Sequence, residues 1–208
     1  MRLGIGIPYY KNSPECEIAF KKLMKMLYPQ VVNYYRMVIY EDGQCSDWLK
    51  GYDVGYTKVI SNVINNGVAF ARNIILNYLI HEDCDYILFI DSDDMVDCDY
   101  LIRMYEICST HEYDLVESIF YINGKEYMYT RRDNVSGCAI RTELIKDMQF
   151  DETVNVSEDT LFISKVFEDN PELKRFKIQS KYYYNLGINP NSLMMRWQRN
   201  EIGVKKDV

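Results

Sequence analysis

Strand-sized apolar runs alternate with segments of helical periodicity along the first half of the chain. The runs occupy residues 3–8, 37–40, 58–63 and 86–90. This alternation predicts parallel strands joined by crossover helices, which is an α/β fold with a mostly parallel sheet flanked by helices. Apolar residues at helical spacing follow three of these runs. They are Cys16, Phe20, Leu23, Met24 and Leu27 after the first run; Ala71, Ile74, Ile75, Tyr78 and Leu79 after the third; and Leu101, Met104, Tyr105 and Cys108 after the fourth.

Local signals predict where these helices begin. Ser13 followed by Pro14 is typical of an N-cap with proline at the first helical position. Asn66-Gly67 predicts a turn into the second helix, and Asp97 is the predicted N-cap of the third.

The second half of the chain changes character. Residues 115–121 and 126–130 look like strands around Asn123-Gly124, a strong hairpin-turn dipeptide. A short helix is predicted from Glu143 and another from Ser157. We expect this half to form a smaller, mixed β part that closes over the first half. No internal repeat or low-complexity linker divides the chain, so a single domain is predicted.

Composition restricts the class of protein. Hydrophobic residues make up 48% of the 208 residues and charged residues 26%, which is ordinary for a soluble globular protein. No apolar run approaches the roughly 18 residues of a membrane span, and the N-terminus lacks the apolar region of a signal peptide. We therefore expect a cytoplasmic protein. The six cysteines form no Cys-x-x-Cys pair and are predicted to be reduced and non-catalytic.

The charge distribution bears on possible partners. A net charge of −7 disfavours broad attraction to nucleic acid or to an anionic membrane. Basic residues gather near the C-terminus, where they either face a polyanion or keep a tail solvated. These residues are Arg196, Arg199, Lys205 and Lys206, beside Trp197.

The most informative segment is an apolar run that ends in carboxylates. Residues 86–90 are followed by Asp91, Ser92, Asp93 and Asp94. Ligands of parallel sheets bind beyond the carboxyl ends of the strands. On an extended chain Asp91 and Asp93 would point the same way, and a divalent cation that also holds phosphate oxygens would relieve their repulsion. The alternative is a loop in which Asp94 or Asp97 caps the next helix.

Other loops are expected at the same edge of the sheet. The first strand ends in Pro8, Tyr9 and Tyr10, and the second in Glu41-Asp42. A carboxylate paired with an aromatic ring can hold a nucleobase, although an acidic turn is the simpler interpretation of Glu41-Asp42. Arg72 either grips a diphosphate or forms a structural ion pair with Asp91.

One more pair of acids stands at a predicted helix start. Glu158 and Asp159 follow Ser157, where the helix dipole favours an ionised carboxylate that accepts a proton near neutral pH. Acidic residues are also common in first helical turns without any catalytic role.

The order of these segments resembles the inverting GT-A glycosyltransferases of family 2. Residues 4–10 are similar to the family's opening strand, residues 39–43 to its Asp-Asp-Gly-Ser segment, and residues 66–73 to its Asn-x-Gly-x-x-x-Ala-Arg-Asn helix. Residues 86–94 then resemble the DxD strand, and residues 157–159 the segment that carries the catalytic base. Glu41 and Gln44 depart from the pattern, since Asp and Ser are usual there.

The resemblance implies a GT-A (Rossmann-like) fold, an Mn²⁺ or Mg²⁺ ion and a nucleoside-diphosphate sugar donor, with a UDP-sugar favoured. It assigns residues 1–97 to nucleotide-sugar binding, residues 98–185 to the acceptor and the base, and residues 186–208 to a basic tail. Asp159 is the implied general base, and Asp93 with Asp91 the implied metal ligands. The implied donor-binding residues are Pro8, Tyr9, Tyr10, Asp42, Asn66, Gly67, Arg72, Asp91, Ser92 and Asp93, and Gly137, Cys138 and Glu158 are placed on the acceptor or donor-sugar side.

Three functions remain open on the sequence. The leading one is metal-dependent, inverting transfer of a sugar to a hydroxyl of a glycan, a lipid-linked acceptor or a protein. A second is a phage-type enzyme that glycosylates a hydroxymethylated base in DNA, which the basic tail favours and the net negative charge disfavours. The third is a nucleotide-sugar-binding protein without turnover.

Overall fold

A computed structural model of the chain describes residues 1–122, 125–127, 134–154 and 156–184. The predicted Asn123-Gly124 turn, residues 128–130 of the predicted second hairpin strand and the basic tail over residues 186–208 lie outside this part of the chain. The strands are β1 (Leu3–Tyr9), β2 (Tyr35–Asp42), β3 (Thr57–Asn62), β4 (Tyr86–Phe89), β5 (Met95–Val96), β6 (Leu115–Ile122), β7 (Lys125–Tyr127), β8 (Cys138–Arg141) and β9 (Arg175–Tyr184). The helices are α1 (Pro14–Leu27), α2 (Asp47–Lys50), α3 (Val68–His81), α4 (Tyr100–Cys108) and α5 (Glu158–Asp169), with 3-10 turns at Tyr28–Gln30 and Thr142–Leu144.

The described strands form a single sheet in the order β3-β2-β1-β4-β8-β6-β9-β5, with β7 paired to β6. The first four strands of this order are mutually parallel, so their carboxyl ends meet at one edge. β8 is antiparallel to both β4 and β6, whereas β9 runs parallel to β6 and antiparallel to β5. The predicted α/β class with a mixed second part is confirmed.

The second half of the chain extends the sheet of the first half. β8 pairs with β4 through Leu88 and Ala139, at the edge of β4 that β1 leaves available. The expectation that this half closes over the first half was therefore wrong. The reason is that a strand edge with unpaired backbone groups is satisfied by adding strands to it.

The sheet is buried on both faces. Met37 and Ile39 of β2 belong to one apolar cluster, which α1 and α4 complete, whereas Val38 and Tyr40 belong to the other, which α3 and α5 complete. Successive side chains of a strand point to opposite faces, so a strand covered on both sides needs an unbroken apolar run. This explains why the runs in the sequence do not alternate with polar residues.

Helix starts differ in detail from the predictions. Ser13 is at the N-cap of α1 and Pro14 begins the helix, as predicted. α4 instead begins at Tyr100 with Asp99 at its N-cap, so the prediction for Asp97 was wrong. The Asp97 carboxylate accepts hydrogen bonds from the Lys181 backbone N–H at 2.9 Å and the Tyr183 hydroxyl at 2.8 Å.

Three further observations complete the fold. The helix predicted from Glu143 is only the 3-10 turn Thr142–Leu144. All six cysteines lie within the described ranges and are free, with Cys45 and Cys98 exposed and the others buried. No helix in residues 1–122, 125–127, 134–154 and 156–184 combines the length and apolar character needed to cross a membrane.

Candidate active site

The acidic segment after β4 is a tight turn. β4 ends at Phe89, the Ile90 N–H still bonds to the Gly6 carbonyl of β1, and the Asp94 N–H then bonds to the Asp91 carbonyl at 3.1 Å. We call residues 91–94 the acidic turn. The argument that Asp91 and Asp93 share a face of an extended chain does not hold, because the chain turns between them.

Three carboxylates of the acidic turn have different surroundings. Asp91 accepts hydrogen bonds from Arg72 Nη2 and from Ser136 Oγ, each at 2.8 Å. Asp94 is only 1% exposed and accepts a 2.6 Å hydrogen bond from the Tyr182 hydroxyl. Asp93 and Ser92 are partly exposed. Of these carboxylates, Asp91 and Asp93 therefore lie where a ligand can reach the turn.

Arg72 lies at the centre of the site. It is 3% exposed, forms ion pairs with Asp91 and Glu158, and places its guanidinium 5.7 Å from the ring centre of Phe150. Burial lowers the pKa of Arg72, but the carboxylates of Asp91, Glu158 and Asp159 together raise it by more. The pKa of Arg72 is therefore above its usual value. The structural ion pair with Asp91, one of the two alternatives from the sequence, is the arrangement present.

Asn73, the next residue of α3, joins the two halves of the chain. Its amide donates to the Phe150 carbonyl at 3.0 Å and to Glu152 Oε1 at 2.7 Å, and its Oδ1 accepts from the Phe150 N–H at 2.7 Å. The ring of Phe150 stacks on Phe162 of α5 with 4.0 Å between centroids. The Arg-Asn pair of α3 thus fixes the position of α5.

The pair Glu158 and Asp159 begins α5. The preceding residue, Ser157, has a φ of 72°, a left-handed conformation that reverses the chain just before the helix. Glu158 is 5% exposed and bonded to Arg72, whereas Asp159 Oδ1 accepts the Thr160 N–H at 2.8 Å. These acids meet the acidic turn around the Arg72 guanidinium, although Asp91 and Glu158 lie 67 positions apart in the sequence.

Both acids of α5 bind protons more tightly than usual. Burial raises the pKa of Glu158, and the charge of Asp159 adds to this, while Arg72 opposes both. Burial also raises the pKa of Asp159, Asp91 raises it further, and Arg72 again opposes the shift. A carboxylate with a raised pKa is a better proton acceptor once it is ionised.

At the end of β2, both acids stabilise neighbouring loops. Asp42 is 3% exposed and accepts the backbone N–H groups of Asn66 at 3.0 Å and Gly67 at 2.8 Å. Glu41 is fully buried and accepts the Ser46 N–H at 2.9 Å. The structure thus brings Asp42, Asn66 and Gly67 together, through the Asp42 carboxylate.

The end of β1 presents one aromatic side chain to solvent. Pro8 is buried, and Tyr9 is 1% exposed with its ring 4.4 Å from that of Phe20 in the core. Tyr10 is 45% exposed, and its ring lies beside Gly43, where a Cβ would stand 3.0 Å from Tyr10 Cε2. Of the two tyrosines predicted to bind the donor, Tyr10 is therefore the one whose ring a ligand can reach, because Tyr9 belongs to the core.

The segment before β8 supports the acidic turn. The Gly137 N–H donates to the Phe89 carbonyl at 2.9 Å, next to Ser136, which bonds Asp91. Gly137 therefore lies next to the acidic turn, and its place on the acceptor or donor-sugar side stays a prediction. Cys138 instead lies fully buried in the core, because β8 alternates and turns this side chain toward the α3 and α5 cluster.

Gly137→Ala is expected to destabilise the protein more than an ordinary glycine replacement. Gly137 has a φ of 74°, and an added Cβ would stand 2.9 Å from Tyr182 Cδ2. We expect a loss of about 2–4 kcal/mol in the free energy of unfolding, which combines backbone strain with overpacking. Urea denaturation measures this loss.

Gly55→Ala is the matched control for the backbone term. Gly55 also has a positive φ, 64°, but an added Cβ would meet nothing within 4 Å. We expect this variant to lose only about 1 kcal/mol. Equal losses in the two variants would show that Tyr182 does not crowd residue 137.

The donor set at this edge fits a hard divalent cation in part. In the described ranges, no group of three or more His, Cys, Asp or Glu side chains is arranged to hold a metal. Mg²⁺ is commonly bound by one or two carboxylates together with the phosphate oxygens of a substrate. The half-buried Asp91 and Asp93 carboxylates are oxygen groups of that kind.

Two residues that contact the acidic turn had no role in the sequence analysis. Ser136 bonds the Asp91 carboxylate and Tyr182 bonds both ends of the turn. Tyr182 is one of three consecutive tyrosines, and no local signal distinguishes it from Tyr183 or Tyr184.

The sequence pattern described as "Glycosyl transferase family 2" matches residues 5–197. No curated protein matches the sequence.

Several solved structures share the fold. TarS 1–349 from S. aureus in complex with UDP-GlcNAc is 20% identical with a TM-score of 0.72, covering 88% of this chain and 58% of that chain. The mannosyltransferase PcManGT from Pyrobaculum calidifontis, in complex with GDP-Man and Mn²⁺, is 12% identical with a TM-score of 0.67, covering 96% and 60%. GalNAc-T7 with UDP, GalNAc and Mn²⁺ is 12% identical with a TM-score of 0.62, covering 90% and 44%.

These likenesses differ in what they establish. At identities of 12% to 20% the solved structures show a common fold. The chain spans 37% of the longer TarS structure and 58% of TarS 1–349, so it corresponds to part of those proteins. The family pattern, in contrast, extends over almost the whole chain, including the acidic turn, Arg72 and the start of α5. The chain therefore belongs to glycosyl transferase family 2.

Proposed function

We propose that this protein transfers a sugar from a nucleoside-diphosphate sugar, with a UDP-sugar favoured, to an acceptor hydroxyl with inversion of the anomeric centre. The observation that carries the proposal is the meeting of Asp91 and the Glu158-Asp159 pair around the buried Arg72 at the carboxyl edge of the parallel strands. This arrangement supports a site in which Asp91 serves the donor and an acid of α5 serves as the base.

The donor is proposed to lie along the carboxyl edge of β1, β2 and β4. Tyr10 is the exposed ring for the nucleobase, and the loop that Asp42 holds through Asn66 and Gly67 forms the side of its site. The bound UDP-GlcNAc of TarS and the bound GDP-Man of PcManGT support a nucleotide sugar as the ligand class. Asp91 is the proposed ribose contact, and Ser92 and Asp93 are proposed to face the diphosphate.

Asp93 and Asp91 are the residues that would hold a divalent cation. When bound there, Mn²⁺ or Mg²⁺ would neutralise the negative charge that develops on the nucleoside-diphosphate leaving group. The Mn²⁺ named with PcManGT and GalNAc-T7 supports this choice of metal.

Asp159 is the proposed general base. Its ionised carboxylate takes the proton of the acceptor hydroxyl as that oxygen attacks the anomeric carbon from the face opposite the leaving group. Burial raises the pKa of Asp159, and the positive charge of Arg72 opposes that shift and so favours the ionised form that a base needs. A single displacement of this kind inverts the anomeric configuration.

The acceptor is proposed to be a hydroxyl of a glycan, a lipid-linked molecule or a protein. It approaches from the α5 side of the site, where Glu158 and Asp159 lie and where Gly137 supports the acidic turn. An acceptor array that includes hydroxymethylated DNA separates these acceptors from the DNA alternative.

Asp93→Asn is expected to remove metal-dependent nucleotide binding and leave the fold intact. Loss of outer-shell partners of a metal commonly costs about 10- to 100-fold in affinity, so loss of a direct ligand should weaken Mn²⁺-dependent UDP binding by about 100-fold or more. Calorimetry measures the affinity for UDP with Mn²⁺ present and with the metal removed by EDTA.

The control for this variant removes an equal charge elsewhere. Asp83 is exposed and precedes β4, at the opposite end of that strand from the acidic turn, so Asp83→Asn should bind as the parent does. Unchanged Mn²⁺-dependent affinity in Asp93→Asn would refute the proposed ligand. Binding of UDP-sugars without any transfer to acceptor or water would instead favour a nucleotide-sugar-binding protein without turnover.

A further inference from the structure

The acidic turn is attached to the second half of the chain through one phenol. Tyr182 of β9 is fully buried, and its hydroxyl donates to Asp94 Oδ2 at 2.6 Å. The same hydroxyl oxygen accepts the Asp91 backbone N–H at 3.1 Å. One hydroxyl group therefore bonds the first and the last residue of the turn that carries Asp93.

The ring of Tyr182 is held in place on both sides. Phe120 of β6 stacks on it with 5.0 Å between centroids and 15° between planes, and the two residues are paired in the sheet. On another side the ring lies so close to Gly137 that a Cβ there would stand 2.9 Å from Tyr182 Cδ2. A buried ring packed in this way cannot move its hydroxyl away from the turn without displacing its neighbours.

The hydroxyl also stays in its donating form. A phenol carries its proton at neutral pH, and the 2.6 Å contact directs that proton to Asp94 Oδ2. A hydrogen bond from a neutral donor to a buried carboxylate is stronger than one between two neutral groups.

We propose that Tyr182 is a positioning residue that fixes the acidic turn for nucleotide binding. The phenol fixes the Asp91 backbone, and Arg72 and Ser136 then fix the Asp91 side chain. Asp93 follows two residues later in the same turn, between the Asp91 backbone N–H and the Asp94 side chain, both of which the phenol bonds. The effect on nucleotide binding rests on the proposed function, whereas the anchoring of the turn does not.

Tyr183 provides a matched control. It is the next residue of β9, its hydroxyl also donates to a carboxylate, Asp97 at 2.8 Å, and its side chain points to the opposite face of the strand. Tyr182→Phe and Tyr183→Phe each remove one hydroxyl that bonds an aspartate. Only the first removes contacts with the acidic turn.

The first readout is residue-resolved amide hydrogen exchange of the full chain, measured by NMR without nucleotide. In Tyr182→Phe the Asp91 amide loses its acceptor, so we expect its exchange to become at least about tenfold faster. In Tyr183→Phe the exchange of Asp91 should match the parent. Equal exchange at Asp91 in all three proteins, or equal acceleration in both variants, would overturn the proposal.

The second readout is calorimetric affinity for UDP in the presence of Mn²⁺. We expect at least about a tenfold loss in Tyr182→Phe and no loss in Tyr183→Phe. Faster exchange at Asp91 with unchanged affinity would overturn the proposed role in binding. If the parent itself binds no nucleotide, the proposed function fails, and the exchange data alone decide whether Tyr182 holds the turn.

A second variant protects the test against misfolding. Tyr182→Phe leaves the buried Asp94 carboxylate without the hydrogen bond of the phenol, which can destabilise the whole domain. Adding Asp94→Asn removes that buried charge while the Asp91 amide still lacks its phenol acceptor. The double variant should therefore regain stability and retain fast exchange at Asp91; parental exchange in a folded double variant would overturn the proposal.

Discussion

Asp159→Asn is expected to lower the rate of sugar transfer by about 10²- to 10⁴-fold, the usual effect of losing a general base. The substitution keeps the shape of the side chain and an oxygen that can accept the Thr160 N–H, but it removes the proton acceptor. Because the base acts on the acceptor, the affinity for the donor nucleotide should change little. Transfer kinetics and donor calorimetry on the same protein separate these two effects.

The control for this variant lies on the same helix. Asp169 is exposed in the last turn of α5, so Asp169→Asn removes one aspartate charge far from the site and should transfer sugar at the parental rate. A parental rate in Asp159→Asn would remove Asp159 as the base. An equal loss of donor affinity and rate would mean that Asp159 holds the donor.

The pH dependence of transfer gives a second, independent check on the same residue. Only ionised Asp159 can accept the proton, and burial raises its pKa above the value near 3.9 of an ordinary aspartate. On acidification, kcat/KM should therefore begin to fall at a higher pH than an ordinary aspartate would allow. This acidic limb should be absent from the residual activity of Asp159→Asn.

Arg72→Met is expected to cause the largest loss of stability of any single substitution at the site. Removal of one partner from a buried ion pair typically costs about 3–5 kcal/mol, because the other charges remain buried without compensation. Here the carboxylates of Asp91 and Glu158 both lose the guanidinium. A loss of this size is a large fraction of the roughly 5–15 kcal/mol that stabilises a typical domain.

The matched control is an exposed arginine with two acidic partners. Arg103 pairs with Asp99 and Glu106 on the surface of α4, and its side chain is 55% exposed. Exposed ion pairs contribute between about 0 and 1 kcal/mol, so Arg103→Met should unfold nearly as the parent does. Urea denaturation of the three proteins provides the comparison, and similar losses in both variants would contradict the central role of Arg72.

The stability deficit of Arg72→Met should depend on pH with a definite sign. The pKa of Glu158 is raised in the folded protein by burial, and loss of Arg72 raises it further. The cost of keeping an ionised Glu158 buried is present above its folded pKa and is absent below its unfolded pKa of about 4.3. The deficit should therefore be largest at neutral pH and shrink on acidification, whereas a deficit independent of pH would indicate lost packing alone.

The parallel half of the fold could be predicted because its signals are local. Unbroken apolar runs correspond to strands buried on both faces, as β2 and β4 are, and the acidic residues come directly after β4. The family resemblance also depended on such local segments. The matching family pattern over residues 5–197 confirms it.

Features that depend on distant partners could not be predicted in this way. Arg72 pairs with Glu158, which lies 86 positions further along the chain, and nothing in either segment indicates that pairing. The choice of Tyr182 over its two neighbours depends on the register of β9 against β6 and β5. Asp97 has the sequence signature of an N-cap, but its carboxylate instead accepts hydrogen bonds from the Tyr183 hydroxyl and the Lys181 backbone N–H.

The burial of individual site residues could not be predicted from the sequence either. Tyr9 and Tyr10 are adjacent and identical in type, yet one is 1% exposed and the other 45% exposed, because β1 ends at Tyr9 and Tyr10 lies beyond the covered part of the sheet. Cys138 lies next to Gly137 but is inside the core, because β8 turns its side chain toward the α3 and α5 cluster. A motif identifies a segment, and the ends and register of the strands decide which of its side chains reach the site.

The anomeric configuration of the first-formed product tests the account most directly. The parent protein is incubated with Mn²⁺ and the UDP-sugar that binds most tightly, with an acceptor or with water, and the anomeric proton of the transferred sugar is followed by NMR from the earliest times. Direct displacement assisted by Asp159 predicts that the first product has the configuration opposite to that of the donor. A first product with the configuration of the donor would contradict single displacement and the assignment of Asp159 as the base.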